Sequence, residues 1–250
     1  MSDDPYLYRH PEPLQAATFV KRPHRFCTTC VLDATGEQVE SHLADPGRLK
    51  AILTPGTRLY LTGPHGGGRK LPYSTILAEK DGVGINLVTT RANTLFPTLL
   101  QRGALPDLVT PDALLRLERE VKIGKQRIDF RLHDASGARL VELKNAGLRL
   151  GDGWAMFPDA PSARAVHHLE TLIDHVQDGG RASVVFIVGR GDVHAFAPAR
   201  HIDPDLADAL EHAIDEGVSA WACRVTWDTV GARDPLLLPI HLRAPDEVTP

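Results

Sequence analysis

EREVKIGKQRIDFRLHDASGARLVELKN, residues Glu118–Asn145, is the stretch from which the rest of the chain is read. Two runs in it alternate polar and apolar residues with period two, Arg127–His133 and Arg139–Asn145. Between them Asp134-Ala-Ser-Gly137 has the composition of a turn, so the spacing predicts an antiparallel hairpin. Side chains two apart on a strand point to one face. Glu142 and Lys144 therefore share a face, with Val141 and Leu143 on the other, and Asp129 on the partner strand can sit opposite the pair.

An acidic residue on one strand with Glu-x-Lys on the next is the PD-(D/E)xK nuclease arrangement. Converging carboxylates are costly unless a divalent cation neutralises them, and hard oxygen ligands suit Mg²⁺ or Mn²⁺. Such a cation binds the scissile phosphate and lowers the pKa of the attacking water. Asp129 and Glu142 are the expected ligands, with the Leu143 carbonyl as a third. Glu120 or Glu118, on the preceding strand, would complete the shell, although a ladder of strand salt bridges explains those two equally well. Lys144 would orient the water or meet the charge of the transition state, making Asp129, Glu142 and Lys144 the candidate catalytic set.

The totals bound the alternatives. A length of 250 residues allows one large domain or two small ones. The net charge of −4 argues against a strongly basic binder, but its distribution is uneven. Residues 1–110 carry 12 Lys/Arg against 10 Asp/Glu, and residues 111–250 carry 16 against 22. No apolar run approaches a membrane span and no signal-peptide pattern opens the chain, so a cytoplasmic protein is expected. Three cysteines give no disulfide framework. Cys27-x-x-Cys30 lacks a second ligand pair for zinc and reads as part of a strand.

Outward from the hairpin, residues 1–13 are polar and Pro-rich and read as a mobile arm. Short strands are expected at Leu14–Val20, Phe26–Leu32, Gln38–Leu43, Arg58–Leu61, Tyr73–Glu79 and Val83–Val88, a spacing that suggests a five-stranded OB-like barrel. Its basic residues fall in the connections: Lys21, Arg22 and Arg25, then Arg48, then Lys70. Phosphate contacts are expected there, with Phe19, Phe26 and Tyr73 as stacking partners; solvated charge on hairpin turns is the competing explanation. A helix capped by Asn93 runs to Arg102, followed by strands at Leu117–Ile123, Arg127–His133 and Arg139–Asn145. A looser segment, Gly147–Pro161, leads to a helix from about Ser162 to Gln177. Strands at Ser183–Val188 and Val193–Ala197, a helix at Asp203–Glu216 and a strand at Ala220–Val225 follow. The order αβββαβ is that of a restriction-endonuclease-like fold with a mixed sheet, and the residues after 226 read as a covering tail. Arg164 and His168 sit where a loop and helix start can close over the hairpin, as nucleic-acid contacts.

The chain also resembles the sugar fermentation stimulation protein A family. The resemblance rests on Val20-Lys-Arg-Pro-His-Arg-Phe26, His42-Leu-Ala-Asp-Pro-Gly-Arg-Leu49, Arg69-Lys-Leu-Pro-Tyr73 and Gly84-Ile-Asn86. It continues through Arg119-Glu-Val-Lys-Ile-Gly124, Arg127-Ile-Asp-Phe130, Val141-Glu-Leu-Lys-Asn145, Phe157-Pro-Asp-Ala160 and His168-Leu169. It implies an OB-type domain (14–82) fused to a PD-(D/E)xK domain (83–226), with a tail at 227–250. It implies DNA or RNA as partner, a divalent-metal-dependent nuclease activity and a regulatory role in sugar metabolism. Two functional readings stay open, a metal-dependent nuclease and a DNA-binding regulator that never cleaves. A hydrolase of another class ranks last, since no nucleophile elbow or Gly-rich phosphate loop is present. The oligomeric state is left open, with a homodimer as one option.

Overall fold

The computed structural model describes residues 4–245, in two compact units. The first takes the chain up to Arg91 together with Gly189–Asp192 and Val225–Asp234. The second takes Ala92–Val188, Val193–Arg224 and the chain from Pro235 on. Among the described residues no helix is long and apolar enough to cross a membrane.

The first unit is built on strands β1 (Tyr6–Arg9), β2 (Gln15–His24), β3 (Cys27–Leu32), β4 (Gln38–Leu43), β5 (Arg58–Thr62), β6 (Tyr73–Lys80) and β7 (Val83–Asn86). Strands β4-β3-β2-β5-β6 lie in that order, and β4 closes on β6 in parallel through Ser41↔Tyr73, His42↔Ser74 and Leu43↔Thr75. Closure removes the sheet edges and leaves a five-stranded OB-like barrel. Period-two alternation fills it: in β4, Val39, Ser41 and Leu43 are buried while Gln38, Glu40 and His42 are exposed. At the seam, Thr28 bonds Ser41 at 2.9 Å and Thr75 at 2.8 Å, and Ser41 bonds Thr75, so three buried hydroxyls satisfy one another. Cys27 and Cys30 are buried free thiols of β3.

The expected arm at residues 1–13 contains β1, which pairs with the late strand β16 (Gly231–Leu238); residues 1–3 lie outside the described residues. A Cβ on Gly231 would sit 1.9 Å from the Tyr8 carbonyl oxygen, so only glycine permits this approach. The expected covering tail is likewise corrected: β16 turns back from β15 (Ser219–Trp227), and of that tail residues 246–250 lie outside the described residues. The turn is held by Asp228, whose carboxylate accepts from the amides of Val230 and Gly231, the Tyr6 hydroxyl and Arg233 Nε at 2.8–3.0 Å.

The second unit begins with α1 (Arg91–Gln101), then β8 (Arg116–Ile123), β9 (Gln126–Asp134) and β10 (Gly137–Ala146). The helix starts two residues before the expected cap, so Asn93 is helical. Strands β11 (Leu148–Leu150) and β12 (Trp154–Phe157) occupy the segment expected to be loose, and join β14 (Ala195–Pro198) in a small sheet. Helix α2 (Ala163–Gln177), β13 (Arg181–Val188) and α3 (Pro204–Asp215) complete the unit with β15. Its main sheet has the order β15-β13-β10-β9-β8, parallel across β15, β13 and β10 and antiparallel across β10, β9 and β8. Strand β13 is buried along nearly its whole length, as its unbroken apolar run Ser-Val-Val-Phe-Ile-Val requires. Asp203 fixes both helix starts: its carboxylate caps α3 through Leu206 N–H (3.1 Å) and accepts from Ser162 N–H (2.8 Å), the residue that caps α2.

Candidate active site

The site forms where the β9–β10 ladder stops. The strands pair from Asp134↔Gly137 to Phe130↔Val141, and beyond that point β10 continues against β13 alone, as far as Ala146↔Val188. Asp129 and Glu142 are the first residues past the last pair. Their carboxylates take the backbone donors that the opened ladder leaves: Leu143 N–H donates to Asp129 Oδ2 (2.8 Å), and Asp129 N–H to Glu142 Oε2 (3.4 Å).

Each carboxylate is also held from a helix. Asn93 of α1 donates its side-chain amide to Asp129 Oδ1 at 2.7 Å. Glu142, 2% exposed, receives Lys144 Nζ at 2.5 Å and the His168 Nδ1 of α2 on Oε1. His168, 3% exposed, has Arg164 Nε 3.4 Å from its Nε2. With a proton on Nδ1 the ring donates to Glu142, and its Nε2 faces the Arg164 donor.

These surroundings push the two carboxyls apart. Burial and the charge of Glu142 raise the pKa of Asp129, and the Leu143 amide and Asn93 offset this only in part. Burial also pushes Glu142 upward, but the bond from His168 and the adjacent Lys144 ammonium outweigh it and hold Glu142 below the usual carboxylate range. Divergent environments for neighbouring carboxyls are the arrangement that acid–base and metal sites employ. The donor chemistry fits a hard divalent cation held by two protein carboxylates with water and substrate oxygens completing the shell, a manner typical of Mg²⁺.

The expected additional ligand Glu120 is exposed on β8. It stands level with Asp129, between the pairs Arg119↔Phe130 and Val121↔Ile128, but its backbone turns to φ 55° and its carboxylate lies 3.6 Å from Arg127. Glu118 goes to His133 at 2.7 Å and to Arg116 and Arg131, the salt-bridge ladder. Among the described residues no three His, Cys, Asp or Glu side chains form a metal-holding group.

The expected nucleic-acid contacts separate into three kinds. Lys21, Arg25, Arg48 and Lys70 are exposed on the first unit. Arg22 instead binds backbone carbonyls of Gly47 (2.6 Å), Arg48 (2.8 Å), Arg25 (2.6 Å) and Asp45 (3.1 Å), stapling two loops. His168 is buried on Glu142 rather than presented to a ligand, while Arg164 is exposed beside it. Of the expected stacking rings, Phe19 and Tyr73 are buried in the barrel; only Phe26 is exposed, with Arg25 over its ring at 4.8 Å. Asn93 is the site residue that sequence reasoning missed. Its one signal was an amide in the first turn of a helix, which a capping role accounts for equally well.

Two family models match the chain: the sugar fermentation stimulation protein RE domain over residues 90–231, and the SfsA N-terminal OB domain over residues 20–87. The chain is 41% identical over 219 residues to the sugar fermentation stimulation protein homolog of Chloroflexus aurantiacus, covering 88% of this chain and 82% of that one. It is 39% identical over 223 residues to the homolog of Moorella thermoacetica, covering 88% and 93%. Among solved structures, that of Pyrococcus furiosus SfsA in complex with Ca²⁺ superposes with a TM-score of 0.84 at 28% identity, covering 94% of this chain and 99% of the other.

Proposed function

The chain belongs to the sugar fermentation stimulation protein family, and on that premise we propose that it is a nucleic-acid-binding, divalent-metal-dependent nuclease. It hydrolyses phosphodiester bonds of DNA or RNA, with Asp129, Glu142 and Lys144 as catalytic side chains and Mg²⁺ or Mn²⁺ as cofactor. The observation that carries this reading is the pairing of half-buried Asp129 with buried Glu142, past the open end of the β9–β10 ladder, with the Lys144 ammonium on Glu142. The Ca²⁺ complex of the Pyrococcus relative supports cation binding in the family.

A bound divalent ion supplies charge neutralisation at the scissile phosphate and a more acidic attacking water. Asp129 and Glu142 would hold it, with the carbonyl of Leu143, whose amide donates to Asp129, as a third ligand. Asn93 and His168 fix the two carboxylates, and helix α2 carries His168 and Arg164 to the site from a start tied to Asp203. Lys144 presents a point charge to the phosphate as negative charge accumulates on it. The barrel unit contributes binding through Lys21, Arg25, Arg48 and Lys70, with Arg22 fixing the loops that carry Arg25 and Arg48.

The experiment is cleavage of labelled single- and double-stranded DNA and RNA with Mn²⁺. Asp129→Ala should abolish turnover. Lys144→Met, which keeps the apolar stem and both carboxylates, should lower the rate by about two orders of magnitude or more with little change in affinity. A regulator of sugar-metabolism genes that binds DNA without cutting predicts no metal-dependent cleavage by the wild type. Equal cleavage by wild type and Lys144→Met would remove Lys144 from the mechanism.

A further inference from the structure

Strand β9 presents Arg127, Asp129, Arg131 and His133 on one face, because side chains two apart point the same way. Register places Lys122 opposite Arg127, Glu118 opposite Arg131 and Arg116 opposite His133, so these β8 residues share that face. Around Asp129 the face thus carries four cations, Arg116, Lys122, Arg127 and Arg131, against the carboxylates of Glu118 and Glu120. The side chains of Arg116 and Arg127 are 69% and 67% exposed, and Lys122 is exposed. Strand β8 ends the sheet.

The unit as a whole is acidic, so a cationic strip beside Asp129 and Glu142 is not a matter of average composition. Nor are its ion pairs strong enough to lock it. Arg116–Glu118 (3.4 Å), Arg127–Glu120 (3.6 Å) and Arg131–Glu118 (3.8 Å) are long, and exposed pairs of this kind contribute about 0–1 kcal/mol. A two-residue step along a strand is about 6.6 Å, so Asp129 has an arginine one such step away in each direction along β9.

We infer that the β8–β9 face is a phosphate track for a nucleic-acid strand, seating the phosphates that flank the one at Asp129 and Glu142. This rests on the nuclease reading and deepens it. The track belongs to the cleaving unit itself, whereas the sequence pointed to barrel loops for most contacts. A strand lying along β9 is steered by Arg127 and Lys122 on one side of the carboxylates and by Arg131 and Arg116 on the other. Such contacts are blind to base identity, so the track confers affinity and alignment and no sequence preference.

The test is the affinity of the full chain for a fluorescein-labelled single-stranded DNA oligonucleotide and for its duplex, with Ca²⁺ in the buffer and salt varied. Lys122→Gln/Arg127→Gln should weaken binding of at least one probe by about tenfold, and should reduce the slope of log affinity against log salt by roughly 1.4–1.8 units, the signature of two lost phosphate contacts. The double variant Arg200→Gln/Arg233→Gln removes the same net charge from arginines paired with acidic neighbours elsewhere, and should leave affinity within about twofold. Thermal melting checks that both variants remain folded. Wild-type binding left unchanged by the Lys122/Arg127 substitutions, or weakened equally by the control, overturns the track while the nuclease reading stands. Failure of the wild type to bind either probe, or a single-stranded RNA of the same sequence put through the same titration, overturns both.

Discussion

Asn93 serves two neighbours at once: its side chain donates to Asp129 and its backbone carbonyl accepts from Arg119 at 3.1 Å. Arg119 in turn lies over the ring of Phe130, which packs on Phe96 of the same helix. Asp129 is therefore aimed by a side chain that is itself anchored from two sides. Outer partners of this kind typically account for about 10–100-fold in metal affinity. Asn93→Leu should accordingly weaken Mn²⁺ binding at least tenfold, shrinking the Mn²⁺-induced stabilisation at saturating metal by about 1.4 kcal/mol, read from thermal melts across a metal titration. A full increment in the variant would mean Asp129 needs no such support. Removing His168 acts on the other carboxylate. His168→Leu leaves Oε1 of buried Glu142 with Lys144 alone and should cost about 1–3 kcal/mol of folding stability.

At the scale of elements, the β15–β16 turn rests on one carboxylate. Burial pushes the Asp228 pKa upward, but the amides of Gly231 and Val230, Arg233 and Tyr6 outweigh this and leave it lowered. A lowered folded-state value means the group stabilises the fold above its unfolded pKa, near 4, and that this contribution is lost as pH falls through the folded value. Asp228→Asn should thus be less stable than wild type at neutral pH by about 1–2 kcal/mol, with the gap closing in acid. Denaturant melts across the acid range would show a gap independent of pH if another group were responsible. This turn was not legible in the sequence, and the reason is physical. The hairpin Arg127–Asn145 announces itself because alternation and turn chemistry are both local. Strands β1, β11 and β12 have three or four residues each and form only through partners distant in sequence. Strand β16 lies among residues 226–250, which carry four prolines and little periodicity and so read as a tail. The proposed catalytic triplet was readable from its strand pattern. Its supports Asn93 and His168 arrive from helices, and no local spacing foretells that meeting.

For the molecule as a whole, the consequential fact is that the first unit is assembled from three separated segments. A Cβ on Gly84 would meet the Trp227 carbonyl at 2.2 Å, Asn86 N–H bonds Gly189 O at 2.9 Å, and Tyr8 and His10 lie against the Trp227 ring. A fragment cut after Arg91 lacks all of these partners. It should melt at least 10 °C below the corresponding transition of the full chain, with Tyr8 and His10 newly open to solvent, measurable by calorimetry and hydrogen exchange; an unchanged transition would show the barrel to be self-sufficient. The same arrangement sets an order of events during protein synthesis. Ribosomes release roughly 5–20 residues per second, so β1 has left the exit tunnel on the order of ten seconds before the strand that pairs with it exists. Through that interval β1 stands without its partner strand, an unpaired segment of the kind that makes nascent chains clients for chaperones that wait at the ribosome.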